Sequence, residues 1–208
     1  MRWISLAGRL GTVLLMIGLA LGLVSFIPAA PMGGFSSGGS GSAQPEKYQV
    51  LGTTRTLTPQ TGLRISINTS REMHFYILNV FEGDLHEWAM SWVRERFPDL
   101  DESAVWWASR NVTVLDAFLE SHSDTVLWDS NVINDLSKEF FPTTVSNATT
   151  VIAYPSLETA QFEYEIESIT SLAPRERTLL PAEFLALFGL VLAIPWIFFT
   201  RIRKAPSQ

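Results

Sequence analysis

The sequence predicts a membrane-anchored α+β protein: an antiparallel β-sandwich-like ectodomain with a helical insertion, flanked by two transmembrane helices. Three observations carry that expectation. Uncharged apolar runs stand near both ends, over residues 10–30 and 184–200. Between them, two stretches alternate apolar and polar residues with the period of a half-buried strand. From residue 83 onward the apolar spacing lengthens to that of a helix.

The terminal runs set the topology. Residues 1–30 are expected to form an N-terminal transmembrane helix acting as a signal anchor. Its apolar run reaches about 30 Å as a helix, enough to span a bilayer. The alternative is a cleaved signal peptide, whose apolar core is usually shorter, about 7–15 residues. The nearest small-residue cleavage candidate, Pro28-Ala29-Ala30, is followed by Pro31, a poor residue after a processed bond. Residues 179–201 are expected to form the second transmembrane helix, with residues 202–208 as a basic tail. Arg2 and Arg9 flank the first run, and Arg201, Arg203 and Lys204 follow the second. By the positive-inside rule both termini are cytoplasmic and the central domain is extracytoplasmic. The expected location is the cell membrane, crossed twice, with the lipid bilayer as one partner and Glu183 at the outer interface. A competing reading exists for the C-terminal end. Leu180-Pro181-Ala182-Glu183-Phe184, an apolar run and a basic tail follow the order of an envelope sorting signal. The inserted Ala182 departs from the Pro-Glu-Phe form.

The overall charge of −6 hides an uneven distribution. Between Glu46 and Thr178, twenty acids face ten bases, so the centre carries about −10. Such a domain repels phosphate backbones, and nucleic acid is excluded as an expected partner. The chain has no cysteine, which excludes disulfides, thiolate metal sites and cysteine nucleophiles.

Residues 31–45, rich in glycine and serine, are expected to be a flexible linker with a mean reach of roughly 20 Å. Residues 46–178 are the extracytoplasmic β domain. Residues 48–51 form a short strand candidate. Leu63, Ile65 and Ile67 alternate with Arg64, Ser66 and Asn68, and Phe162, Tyr164 and Ile166 alternate with Glu163, Glu165 and Glu167. Both patterns read as strands with one face in the core. Residues 73–81 and 147–154 are more continuously apolar and read as buried strands. Strands at both ends of the segment predict a sheet in which the first and last meet. The helical insertion is expected over residues 83–140. It begins with Leu85, Trp88, Ala89, Trp92 and Val93 on one face, and Asp84 with Glu87 resembles a capping box. Pro98 ends that helix. Short helices follow over 101–109 and 114–122, residues 125–128 return to strand, and Val132, Leu136 and Phe140 fit one or two further helical turns.

Candidate sites divide by chemistry. Three sequons, at Asn68, Asn111 and Asn147, are candidates for N-glycosylation, with coincidence as the alternative. Trp106 and Trp107 are adjacent and cannot both face the core, so one is expected to be exposed. The Trp88/Trp92 stripe reads as core, with an aromatic platform as the alternative. Ser121, His122, Ser123 and Asp124 contain the letters of a hydrolase triad, but consecutive residues do not converge as a triad requires. His74, His86 and His122 share no metal-ligand spacing. Asp99, Asp101 and Glu102 read as a solvated turn with Asp101 as helix N-cap, rather than as a calcium loop. No metal, cofactor or catalytic residue is therefore expected. In the apolar runs, Gly18 with Gly22 and Gly189 with Ala193 are small-xxx-small pairs that permit the two helices to pack on each other.

The segments 73–79 (MHFYILN), Phe140-Phe141-Pro142, 149–154 with Pro155, and 162–169 carry a family resemblance. With the two flanking spans and the Gly/Ser segment, the chain resembles uncharacterised archaeal membrane proteins that bear a GOLD-like β-sandwich. The resemblance covers the outer strands and not the helical insertion. It implies non-enzymatic interaction with protein or lipid at a membrane. The expected function is thus a membrane-anchored binding or assembly protein with a membrane or extracellular protein partner, such as an accessory subunit of a membrane complex. The alternatives are an envelope protein with a cleaved signal, and a membrane-tethered enzyme using Asp99 and Asp101.

Overall fold

In the computed structural model, which describes residues 2–132 and 134–204, the chain runs α1 (Arg2–Ser25), β1 (Ala30–Ala43), β2 (Lys47–Val50), β3 (Arg55–Leu57), β4 (Thr61–Thr69), β5 (Met73–Asn79), α2 (Glu82–Arg96), α3 (Glu102–Ser109), α4 (Val112–Ser121), β6 (Val126–Val132), β7 (Asp135–Phe140), β8 (Ser146–Tyr154), β9 (Ala160–Thr170) and α5 (Arg175–Lys204). A single 3-10 turn, Ser123–Thr125, joins α4 to β6. The chain divides into two compact units, the terminal helices and residues 31–170.

Residues 31–170 form two sheets. The first has the order β1-β9-β4-β7, and the second has the order β2-β8-β5-β6, with β3 also paired to β8. The registered pairs are antiparallel. Between the sheets lies the main core, built on Leu63, Ile65, Ile67, Phe75, Ile77, Ile152, Phe162 and Ile166. Helices cover the other face of the second sheet, where Leu78, Val151 and Ala153 pack with Leu85, Leu115 and Phe118. A smaller cluster of Ala89, Val93, Val105 and Val114 holds the three helices together.

This layering explains two kinds of strand. β4 and β9 border the core on one side only, so Leu63, Ile65 and Ile67 are buried while Ser66 and Asn68 are exposed. β5 and β8 are covered on both sides, and residues 148–154 are all buried. Continuous apolarity is the consequence of two covered faces. On the outer face of the first sheet, Arg64 bonds Glu139 of β7 and Glu167 of β9, each at 2.9 Å. On β7, at the sheet edge, Lys138 sits opposite the buried Ile65. An inward charge of this kind discourages pairing with another chain.

Four sequence expectations are corrected. The segment 31–45 is not a coil: most of it is β1, on the edge of β9. Without β1, β9 would leave a row of unpaired amides and carbonyls along one side, and a glycine-rich strand satisfies them as well as any other. Its small residues also fit the neighbour, since a Cβ on Gly41 would stand 2.9 Å from the Phe162 ring. The insertion is helical only from Glu82 to Thr125, and β6 (Val126–Val132) and β7 (Asp135–Phe140) follow. Val132, Leu136 and Phe140 recur every four residues, a spacing that suits a helix face and, being even, a strand face as well. The first and last strands of the predicted set do not meet, because β2 pairs with β8 while β9 pairs with β4 and β1. Asp84 does not cap α2. That helix starts at Glu82, whose amide donates to the Thr54 hydroxyl at 2.8 Å, a cap supplied from 28 residues away. Asp101 does cap α3, accepting from the Ala104 amide at 2.8 Å.

The terminal helices contain two stretches long and apolar enough to cross a membrane, Trp3–Ser25 and Arg177–Phe198. They pack antiparallel, Gly8 against Trp196 and Gly18 against Ala182 and Ala186. Of the basic tail predicted over 202–208, the part beyond Lys204 lies outside the described residues.

Candidate functional site

A cavity of about 260 Å³ opens where β2 meets the C-terminal end of α3. Its construction is local on one side and long-range on the other. Trp106, Trp107 and Arg110 come from one helical turn and its end. The segment 110–112 then runs beside 46–48 like a short extra strand. Arg110 accepts from the Tyr48 amide at 2.9 Å, Glu46 accepts from the Val112 amide at 2.8 Å, and Lys47 pairs with Asn111. The Lys47 ammonium donates to the Trp107 carbonyl at 2.7 Å and ties β2 to the helix. Gln44, Gln49 and Val50 complete the wall.

Arg110 lies over the Trp106 ring, its guanidinium carbon 4.3 Å from the centroid. Trp106 and Trp107 meet edge to face at 4.8 Å. Trp107 is 49% exposed, the one of the pair that faces out. The Arg110 Nε is buried and has no hydrogen-bond partner among the described residues. Burial pushes the Tyr48 hydroxyl up to about 12, with the Arg110 guanidinium pulling the other way. Burial also pushes the Lys47 ammonium down, opposed by Glu46. No carboxylate lines the cavity. The arrangement offers two cations, two side-chain amides, a phenol and an indole.

The other predicted residues are dispersed. Asn68 is exposed on β4, opposite Asp135 on one side and Glu163 on the other. Asn111 caps α4, its side-chain oxygen accepting from the Thr113 amide at 3.0 Å and the Thr113 hydroxyl at 2.9 Å. Asn147 lies in β8, where its side chain accepts from the Thr56 hydroxyl at 3.0 Å. Trp88 is half-buried, edge-on to Phe118 at 5.1 Å, and Trp92 carries Arg96 over its ring at 3.8 Å. His122 stacks on Phe118 at 4.6 Å and touches the Ser121 hydroxyl at 2.8 Å through Nδ1. Asp124 is exposed on the 3-10 turn, and Asp99 is exposed beyond the end of α2.

In the helix pair, a Cβ on Gly18 would lie 2.5 Å from the Ala186 amide nitrogen and 2.7 Å from the Ala182 carbonyl. Gly22 is looser, its Cβ position 4.0 Å from that of Ala182. Gly189 faces Leu15 and Gly11, and Ala193 also faces Gly11. Gly18 and Gly22 therefore oppose Ala182 and Ala186, while Gly189 and Ala193 oppose Gly11 and Leu15, so the two pairs do not meet each other. Sequence reasoning missed Gly8 and Gly11, although the spacing 8, 11, 18, 22 follows one helix face. It also missed Arg110, whose place four residues after Trp106 is the spacing for a contact along a helix. Nothing local marks Lys47, Tyr48 or the two glutamines, which reach the site through β2 pairing.

No family model matches the chain, and no curated protein matches it. Among solved structures, the crystal structure of PirA is similar over 63% of this chain and 93% of its own, with 9% identity and a TM-score of 0.34. A de novo designed double-stranded β-helix, solved by NMR, is similar over 63% of this chain and 96% of its own, with 10% identity and a TM-score of 0.27. A chain from disulfide-linked pili of Bacillus endospore appendages is similar over 69% of this chain and 91% of its own, with 7% identity and a TM-score of 0.29.

Proposed function

We propose that the chain is a two-pass membrane protein that presents residues 31–170 outside the cytoplasm as a non-enzymatic binding or assembly module. One observation carries the reading. The helix pair turns glycine and alanine inward and large apolar side chains outward: Trp3 is 82% exposed and Phe184 73%, with Leu10, Met16, Leu23 and Val191 exposed beside them. An apolar surface of that extent is stable against lipid and not against water. The mutual packing of α1 and α5 favours retention of α1, because cleavage would strip α5 of the partner to which its small residues are matched. The positive flanks set both termini in the cytoplasm. A binding role agrees with the role implied by the resemblance to GOLD-like membrane proteins. Asn68, Asn111 and Asn147 then lie on the side where N-glycosylation occurs.

Protease protection on sealed membrane vesicles tests the topology. Tags at both termini should share one protection state, residues 31–170 should show the opposite one, and alkaline carbonate should leave the protein in the membrane pellet. Carbonate release, or tags of opposite protection, would overturn the reading.

A further inference from the structure

We propose that the cavity between β2 and the end of α3 binds an acidic saccharide, with Arg110 and Lys47 holding its carboxylate and Trp107 supporting its ring. The proposal deepens the reading of the domain as a binding module and rests on it.

Charge points to an anion. Two cations line the cavity and no carboxylate does, in a domain where acids outnumber bases two to one. Arg64, Arg71 and Arg94 of the domain stand in ion pairs with glutamates. Arg110 instead rests on an indole, and its Nε–H has no hydrogen-bond partner among the described residues. The planar guanidinium suits a carboxylate.

Shape and the remaining lining point to a sugar. A volume of about 260 Å³ is just below the ~300–1,000 Å³ usual for small-ligand pockets, so one ring fits and a bulky apolar ligand does not. The outward indole of Trp107 offers a face on which the C–H side of a ring lies. Gln44 and Gln49 add amides that both donate and accept, as ring hydroxyls require. An acidic peptide would use the cations but not the platform.

The test uses the full chain in detergent micelles, titrated with tri-galacturonic acid, maltotriose and tri-glutamate, read by calorimetry and tryptophan fluorescence. Tri-galacturonic acid should bind and perturb the fluorescence, and maltotriose should bind at least about tenfold more weakly. Arg110→Gln and Trp107→Ala should each weaken binding about tenfold or more, while Arg110→Lys should recover part of the loss. Near-UV circular dichroism and the unfolding midpoint identify a variant that fails to fold; Lys47→Gln then serves in its place. Equal binding of maltotriose, no binding of tri-galacturonic acid, or binding indifferent to all the variants would overturn the proposal. Tri-glutamate binding as tightly and with the same Arg110 dependence would overturn the saccharide while leaving the binding module standing. The membrane topology fails or survives separately, in the protease-protection experiment.

Discussion

The helix pair and the β domain are packed by opposite rules. In residues 31–170 large apolar side chains fill the inside: Phe75, Leu63, Ile65 and Tyr154 are all under 2% exposed. Between α1 and α5 the buried residues include Gly8, Gly11, Gly18, Ala182, Gly189 and Ala193, while Trp3, Phe184 and Leu23 face out. Both arrangements fill space closely. On the proposed membrane placement, the difference lies in what surrounds them. Water drives large apolar groups together, whereas an apolar solvent leaves close backbone contact as the main source of attraction.

The comparison breaks most visibly at the domain core. Phe75 is fully buried between the sheets, 5.9 Å from the Trp128 ring. Phe75→Ala should destabilise residues 31–170 by about 3–5 kcal/mol. Near-UV circular dichroism of the detergent-solubilised chain should register the loss while the helix pair remains formed. Loss of both together would mean that the two units are one cooperative structure.

Alkali should separate the two regions in the same direction. All four tyrosines lie in residues 31–170. Tyr48 ionises near pH 10 when unfolded and at about 12 when folded, because burial disfavours the phenolate. Its contribution is full below pH 10 and is lost as pH rises through 12. At about 1.4 kcal/mol per pH unit, the loss approaches 2–3 kcal/mol. Unfolding of Tyr48→Phe, measured from pH 9 to 12, should show a correspondingly smaller decline than the parent. An identical pH profile would remove Tyr48 from the account.

The seam of the helix pair should yield to overfilling rather than to deletion. Gly18→Leu is expected to cost about 1–3 kcal/mol in helix association and to leave domain unfolding unchanged. The chain has no cysteine of its own, and the Gly22 and Ala182 Cβ positions, 4.0 Å apart, match the separation a disulfide needs. Oxidised Gly22→Cys/Ala182→Cys protein should be crosslinked within one chain, and added Gly18→Leu should lower that yield severalfold. Unchanged crosslinking with Gly18→Leu would show that the close approach is not required.

The smallest effect sharpens the rule inside the domain. The Tyr154 hydroxyl is buried with no hydrogen-bond partner among the described residues. Tyr154→Phe keeps the ring and removes the unpaired group, so stability should rise by about 1 kcal/mol. A fall in the urea midpoint would mean that the hydroxyl is satisfied.

How much was legible follows from the range of each signal. β4 and β9 were readable because one covered face imposes period two on adjacent residues. The α2 face through Leu85, Ala89 and Val93 was readable in the same way, at period 3.6. β1 was unreadable because glycine and serine declare no face. Its reason for being a strand is the open edge of β9, more than a hundred residues away. The true α2 cap was hidden for the same reason, since Thr54 is remote in sequence. In the candidate site, Trp106, Trp107 and Arg110 share a helical turn and leave a local trace, whereas Lys47 and Tyr48 join them only through strand pairing.

The sequence by itself determined the division of the chain: apolar ends, an acidic centre, no disulfides, strands with one or two covered faces, and an exposed tryptophan in an adjacent pair. Those properties follow from local periodicity and composition, which neighbouring residues carry. The tertiary structure alone decided which sheet each strand joined, that a glycine-rich segment became an edge strand, which small residues meet between the helices, and that Arg110 and Lys47 flank one cavity. Each of these depends on a partner distant in sequence. The free energy that selects such a partner, an edge satisfied or a gap filled, is a property of the pair and is written in neither segment.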